Sequence, residues 1–368
     1  MLDVVNVRAA GPRPEHPPEH RQSRLGARWL AAGVVAVIVA TIAGLALGAV
    51  RINPLGIAAE LLNLIPGVDV DSGLTPRESA IITQLRLPRV VLGLLVGAML
   101  ALAGGCYQGV FRNPLADPYL LGVAAGAGLG ATVAVVIGST SDLAAGITTN
   151  ALMPPLAFLG ALLAVALTYA LGASGGRVRT PATLILSGVA VGSFFTAVQT
   201  YLLQRGDDTI RQVYSWVLGR LSTNGWNEVL LLLPYVVVTA TAVLLLRREL
   251  DVLAVGDDEA ASLGLHPQRT RYVLVAAASL GTAAAVAVAG LIGFVGIIVP
   301  HIVRMLAGSS YRAILPLSML FGAAFLTLAD LAARTVLAPG EIPIGVVTAF
   351  LGAPFFVLVL RTSRRVGM

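Results

Sequence analysis

Apolar residues run along this chain in long blocks separated by short polar stretches. Neither the period of two of a half-buried strand nor a one-sided helical stripe organises them. The first block, residues 29–50, carries no charge. Further charge-free blocks follow at 90–111, 118–141, 143–176, 181–204, 229–246, 272–303, 313–329 and 342–360. About 20 helical residues cross a hydrocarbon layer of about 30 Å, so most of these blocks predict one crossing helix each. Block 143–176 is longer, but Met153-Pro154-Pro155 and the glycines between 172 and 176 trim it to one helix. Block 272–303 is too long for one crossing and too short for two. Gly290, Gly293 and Gly296 punctuate its second half. It predicts a full helix to about Ala289, a broken turn, and a short helix across Pro300 to Leu306. The expected fold is all-α, a polytopic membrane protein with ten transmembrane helices.

The segments between blocks complete the organisation. Residues 1–27 are polar, with Pro12, Pro14, Pro17, Pro18 and four arginines, and predict a disordered tail. Residues 28–365 then form a single transmembrane unit. Residues 51–85 read as a loosely organised loop. In residues 247–271, Asp257, Asp258 and Glu259 precede a short apolar run that Pro267 stops, which predicts one or two short surface helices. Ala103-Gly104 and Pro114 recur as Ala289-Gly290 and Pro300, all displaced by the same distance along the chain. Five helices per half would make such a repeat inverted across the membrane.

Composition agrees. The chain of 368 residues is 57% hydrophobic and 12% charged, against about 45–50% and about 25% for soluble domains. All 25 basic residues are arginine. The absence of lysine removes the phosphate-loop lysine, the Schiff-base lysine and the Ser–Lys dyad, so any ATP hydrolysis belongs to another chain. Placing the N-terminus inside and alternating puts 17 arginines inside and 8 outside, which predicts both termini in the cytoplasm. The net charge of +6 follows from that bias and needs no nucleic acid.

Candidate chemistry is sparse. Cys106 is the single cysteine, and the histidines at 16, 20, 266 and 301 form no ligand set, so no metal or cofactor is expected. Gly172-Ala173-Ser174-Gly175-Gly176 matches the spacing of a nucleophile elbow, but it lacks the strand, histidine and acid that such a site needs. His301 reads as a hydrogen-bonded structural residue. Asp330 is the one carboxylate well inside the apolar blocks, with Arg334 one turn later on the same face. Ion-coupled carriers usually need more intramembrane carboxylates, which argues against ion coupling and leaves a secondary transporter as the alternative of a different class. Gly93, Gly97, Gly122, Gly126 and Gly130 lie at four-residue spacing and predict close helix packing.

Four longer strings are more specific. They are Leu85-Arg86-Leu87-Pro88-Arg89 with Gln108-Gly109-Val110-Phe111-Arg112-Asn113-Pro114-Leu115-Ala116-Asp117-Pro118; Gly290-Leu291-Ile292-Gly293-Phe294-Val295-Gly296 running into Val299-Pro300-His301; Leu328-Ala329-Asp330-Leu331-Ala332-Ala333-Arg334; and Glu341-Ile342-Pro343-Ile344-Gly345 through Gly352-Ala353-Pro354-Phe355-Phe356. Together they resemble the FecCD family, the permeases of type II ABC importers for iron–siderophore complexes, haem and cobalamin. The resemblance covers about residues 30–365.

The resemblance implies an inverted-repeat permease working as a homodimer or a heterodimer of related permeases. It implies two separate ATP-binding subunits, an extracytoplasmic substrate-binding protein, and a bacterial cytoplasmic membrane. It implies that the fifth and tenth helices line the pathway, with Ser187, Val191, Phe195 and Gln199 as the candidate face. Asn113 and Leu115, with Pro181 and Ala182, map to the inner gate, although this Pro–Ala pair is less polar than its counterpart in some relatives. Residues 256–266, with Ala261, Leu263 and Gly264, map to the element that couples to the ATPase. Arg86, Arg89 and Arg334 map to docking of the binding protein, although Arg334 has Asp330 as a nearer partner. The favoured substrate is a ferric siderophore, with cobalamin and haem as alternatives.

Overall fold

The computed structural model describes residues 26–48, 52–63, 65–140, 149–173, 181–204, 207–223 and 225–363. The tail expected over 1–27 lies almost wholly outside the described residues. The described elements are all helical. In chain order they are α1 (Ala27–Ala46), α2 (Pro54–Leu62), α3 (Pro76–Ala80), a π-helical turn (Ile81–Arg86), α4 (Leu87–Val110), α5 (Val123–Thr140), α6 (Thr149–Ala173), α7 (Pro181–Leu203), α8 (Asp207–Val217), α9 (Asn227–Leu245), α10 (Arg247–Val255), α11 (Asp257–Ser262), α12 (Pro267–Ala289), α13 (Val295–Ala307), α14 (Tyr311–Thr335) and α15 (Ile344–Ser363).

Seven of the described helical stretches are long and apolar enough to cross a membrane, and α5, α13 and α15 are shorter apolar helices. Seven and three make the ten expected. Following the chain back and forth puts the start of α1 and the end of α15 at one end of the bundle, here called proximal. The connections that follow α1, α5, α7, α12 and α14 belong to the other, distal end.

The broken helix falls where the glycines predict it. α12 stops at Ala289, Gly290 takes φ +72°, and α13 begins at Val295. At 13 residues α13 is about 20 Å long, too short to cross alone. The first half shows the same device, since residues 111–122 leave the helix before α5 begins. Tyr119 ties the two breaks together: its hydroxyl donates to the Ile292 carbonyl at 3.0 Å and accepts from the Ile292 amide at 3.1 Å.

The two halves pack crosswise. α4 lies against α13 and α14, while α12 lies against α5 and α6. α4 and α12 run in opposite directions, as an inverted repeat requires. The constant offset read from the sequence is not its register, however. Ala103-Gly104 sits inside α4, whereas Ala289-Gly290 ends α12; Pro114 is in a loop, whereas Pro300 is inside α13. Matched helix by helix, the offset shrinks along the chain. It is wider between Leu87 and Pro267, which open α4 and α12, than between Pro181 and Ile344, which open α7 and α15.

Close backbone approach holds α4 to α14. Gly97 and Gly322 face each other so tightly that a Cβ on either would collide with the other's carbonyl. Gly126 and Gly160 do the same between α5 and α6. In lipid, where water exclusion drives no association, such contact supplies the packing.

Four elements depart from the sequence expectation: α2, α3, the π-helical turn and α8. Residues 52–63 and 65–86 are organised rather than loose. Asn53 caps α2, and Thr75 with Glu78 forms a reciprocal capping box on α3. The π-helical turn then joins α3 to α4 in one continuous stretch. The amphipathic α8 lies between α7 and α9, where no apolar block announced an element.

Candidate functional site

At the distal end, α1, α4, α14 and the lead into α15 converge on charged side chains. Arg86 closes the π-helical turn and points inward; it is 8% exposed. Its Nη1 donates to the Leu45 carbonyl at 2.5 Å. Arg334 donates to the Gly44 carbonyl and lies 3.5 Å from Asp330. Both guanidiniums therefore sit on the carbonyl end of α1, where the helix leaves acceptors unpaired and its dipole favours cations.

Arg89, one turn further along, is shared between two carboxylates. Its Nε and Nη2 donate to buried Asp330 at 3.1 and 2.8 Å. Its Nη1 and Nη2 donate to the two Glu341 oxygens at 2.9 and 3.0 Å. Glu341 is the accessible member, with its side chain 54% exposed. The Arg89 hydrogen bonds hold its carboxyl below the usual carboxylate range. The structure thus brings Arg86, Arg89 and Arg334 together, but as partnered side chains rather than lone surface arginines. The Asp330–Arg334 pair anticipated from spacing is present, and Arg89 is the tighter partner.

At the proximal end, α10 and α11 form a compact shelf. Leu250, Leu253 and Ala260 are fully buried beneath it. Arg112, just past α4 with φ +49°, donates from Nε to the Leu253 carbonyl at 2.8 Å and pairs with Asp257. Arg271 of α12 grips the same Asp257 at 2.6 and 2.7 Å. Asp251 accepts from the Ser310 hydroxyl at 2.8 Å and the Tyr311 amide at 2.6 Å, fixing α10 to the start of α14. From this anchored base Leu263 projects outward, 72% exposed, with Ala261 also exposed and Gly264 at φ +83° turning the chain into α12. Two short helices lie here, where the sequence predicts one or two.

The gate candidates share this end. Asn113 accepts from the Leu115 amide at 2.9 Å in a tight side-chain turn, and Pro181 and Ala182 open α7. The pathway candidates are placed on the side of α7 that faces its helical neighbours. Val191 and Phe195 are 4% and 3% exposed and cluster with Ala164, Ala125 and Leu129. Gln199 lies against Gly128, and Ser187 lies near Gly172. This face of α7 packs onto α5 and α6. The opposite face carries exposed Leu186, Val189, Phe194 and Tyr201, and Ser193, Thr196, Ala197 and Thr200 line a shallow groove along it.

His301 is corrected. Its ring stands edge-on to Phe355 at 5.8 Å, and its Nδ1 has no hydrogen-bond partner among the described residues. The described residues contain no group of three or more potential metal ligands.

The family model for the FecCD transport family matches residues 36–362, nearly the whole described bundle. The chain belongs to that family. Within it, the chain is 42% identical over 306 residues to the cobalamin import system permease protein BtuC of Halobacterium salinarum, covering 83% of this chain and 80% of the relative. It is 35% identical over 331 residues to the Fe(3+)-citrate import system permease protein YfmE of Bacillus subtilis, covering 90% and 94%. Among solved structures, an inward-facing conformation of a metal-chelate type ABC transporter superposes with a TM-score of 0.78 at 28% identity, covering 92% of this chain and 100% of that one. In this FecCD chain Asp251 and Arg271 were not singled out by sequence reasoning, and Glu341, Asp257 and Arg112 were named without their partners. Most of those partners are distant in sequence.

Proposed function

We propose that this chain is the membrane-spanning permease subunit of an ATP-driven importer that carries a ferric siderophore across a bacterial cytoplasmic membrane. The arginine bias supports placing the proximal end in the cytoplasm. There the anchored α10–α11 shelf, with Ala261, Leu263 and Gly264 at its rim, engages one of two separate ATP-binding subunits. The observation that carries this reading is the shelf itself. It is tied to α4, α12 and α14 by Arg112, Arg271 and Asp251 while leaving a large apolar side chain in the open. A shelf so fixed can pass a push from outside to three membrane helices at once.

A second permease copy faces the exposed sides of α7 and α15, where Phe194, Tyr201 and Phe350 stand largely exposed. The pathway runs along that side of α7 rather than past Val191 and Phe195. Asn113, Leu115, Pro181 and Ala182 close its cytoplasmic mouth. A substrate-binding protein docks at the distal arginine cluster. Charge complementarity across such a contact sets orientation and association rate more than affinity.

Cobalamin is the second reading, and the 42% identity to a cobalamin permease favours it; haem is a third. Uptake of labelled ferric siderophore, cobalamin and haem in a strain lacking this chain separates them. The siderophore reading expects loss of iron uptake alone, restored by the wild-type chain. Loss of cobalamin uptake with iron uptake intact overturns it.

A further inference from the structure

Glu341 lies three positions before the first residue of α15 and reaches back across the bundle to α4. Both of its oxygens are bound by Arg89, which also grips Asp330 of α14. One guanidinium therefore holds three elements together at the distal end. Its two carboxylates differ sharply in access. Asp330 is buried, whereas Glu341 is more than half exposed. A guanidinium has five donors in a fixed fork, and here the Nε donor, both Nη2 donors and one Nη1 donor are engaged. A carboxylate that binds in the bidentate manner must take the place of one already bound, and Glu341 is the one with access to water. Its departure would cut the side-chain tie between α4 and the lead into α15. That lead is otherwise held by backbone hydrogen bonds, from the Ile342 amide to Ala333 and from the Ile344 and Gly345 amides to Gly219 and Leu218.

We propose that Glu341 is an internal stand-in for a docking carboxylate, a latch that a partner's Asp or Glu displaces from Arg89, so that docking releases the head of α15. The inference rests on the reading of the distal cluster as a docking site, and it adds an exchange step to it. The mechanism is one of competition: Glu341 protects Arg89 in the resting chain and lowers its affinity for other carboxylates. A carboxylate that is more than half in water holds its guanidinium less firmly than a buried one does, which suits a contact that must exchange.

The test uses the full-length permease in lipid nanodiscs and the binding protein recovered by co-purification with it. Variants are Glu341→Gln, Arg89→Glu and, as a control for charge alone, Asp69→Asn in the exposed loop before α3. The expected result is that Glu341→Gln binds the partner about three- to fivefold more tightly, the worth of one surface ion pair, while Asp69→Asn changes it little and Arg89→Glu loses it. A merely structural Glu341 would weaken binding on substitution, not strengthen it. Unchanged or weaker binding by Glu341→Gln, with Arg89→Glu still defective, overturns the latch and leaves docking standing. An Arg89→Glu variant that binds normally overturns docking itself. A second readout needs no partner. A spin label on Gly340→Cys, with Cys106 replaced by Ser, reports motion at the head of α15. The label is expected to be mobile in Glu341→Gln and restrained with Glu341 present. Equal mobility in both overturns the latch.

Discussion

Asp330 and Asp257 each hold two arginines, one at either end of the bundle, but their settings differ. Asp330 is buried between Arg89 and Arg334. Removing its charge leaves Arg334 with the Gly44 carbonyl and Arg89 with Glu341 as its single carboxylate. Breaking a buried pair from one side typically costs about 3–5 kcal/mol. Asp330→Asn is therefore expected to lower thermal stability well beyond any surface substitution, as measured by unfolding of the detergent-solubilised protein. Asp257 is more exposed. The Arg271 hydrogen bonds, helped by Arg112, draw its carboxyl below its ordinary value of 3.8. A group whose folded pKa is depressed contributes fully above its unfolded pKa and loses that contribution as pH falls through the folded value. The stability difference between wild type and Asp257→Asn should stay flat from neutral pH to about 5 and close only below about 4. Closure between pH 5 and 7 would contradict the pairing. Neither network was fully legible in the sequence. The i,i+4 spacing announced Asp330 with Arg334, but Arg89 and Asp330 are 241 residues apart, and nothing local encodes their meeting.

Among the helices, α7 shows why composition alone does not tell one face from another. Its packing side and its open side are both built from small and apolar residues, because lipid-embedded helices use the same residue types for both. Only the neighbours α5 and α6 distinguish them. Single cysteines in a Cys106-free background test the assignment: thiol reagents are expected to label positions 193 and 197 in the assembled transporter and to miss 191 and 195. The reverse pattern would restore the original face. The crossing helices themselves were legible because a charge-free block of about 20 residues has few other fates. The break before α13 was legible because three glycines interrupt that block. α2, α3 and α8 were not. They are short, and α3 and α8 carry several charges; the order of these elements comes from caps and from packing on α1 and α5.

At the scale of the whole molecule, two charged stations are joined by two rods. α4 carries Arg89 near its distal start and leads directly into Arg112 at the proximal end. α14 begins beside Asp251 and carries Asp330 and Arg334 near its distal finish. The rods are locked at Gly97 and Gly322. An assembly so built can be driven from its proximal end and addressed from its distal end, while the chain itself has no lysine with which to build a phosphate loop. On the proposed function, transport through this chain is powered by a separate ATPase. Reconstitution of the purified chain into liposomes, with and without the ATP-binding subunits that co-purify with it, tests this most directly by accumulation of labelled chelate. Accumulation is predicted only when those subunits and ATP are both present, and it should be indifferent to proton or sodium gradients. Accumulation by the chain alone, driven by either ion gradient, would contradict the account.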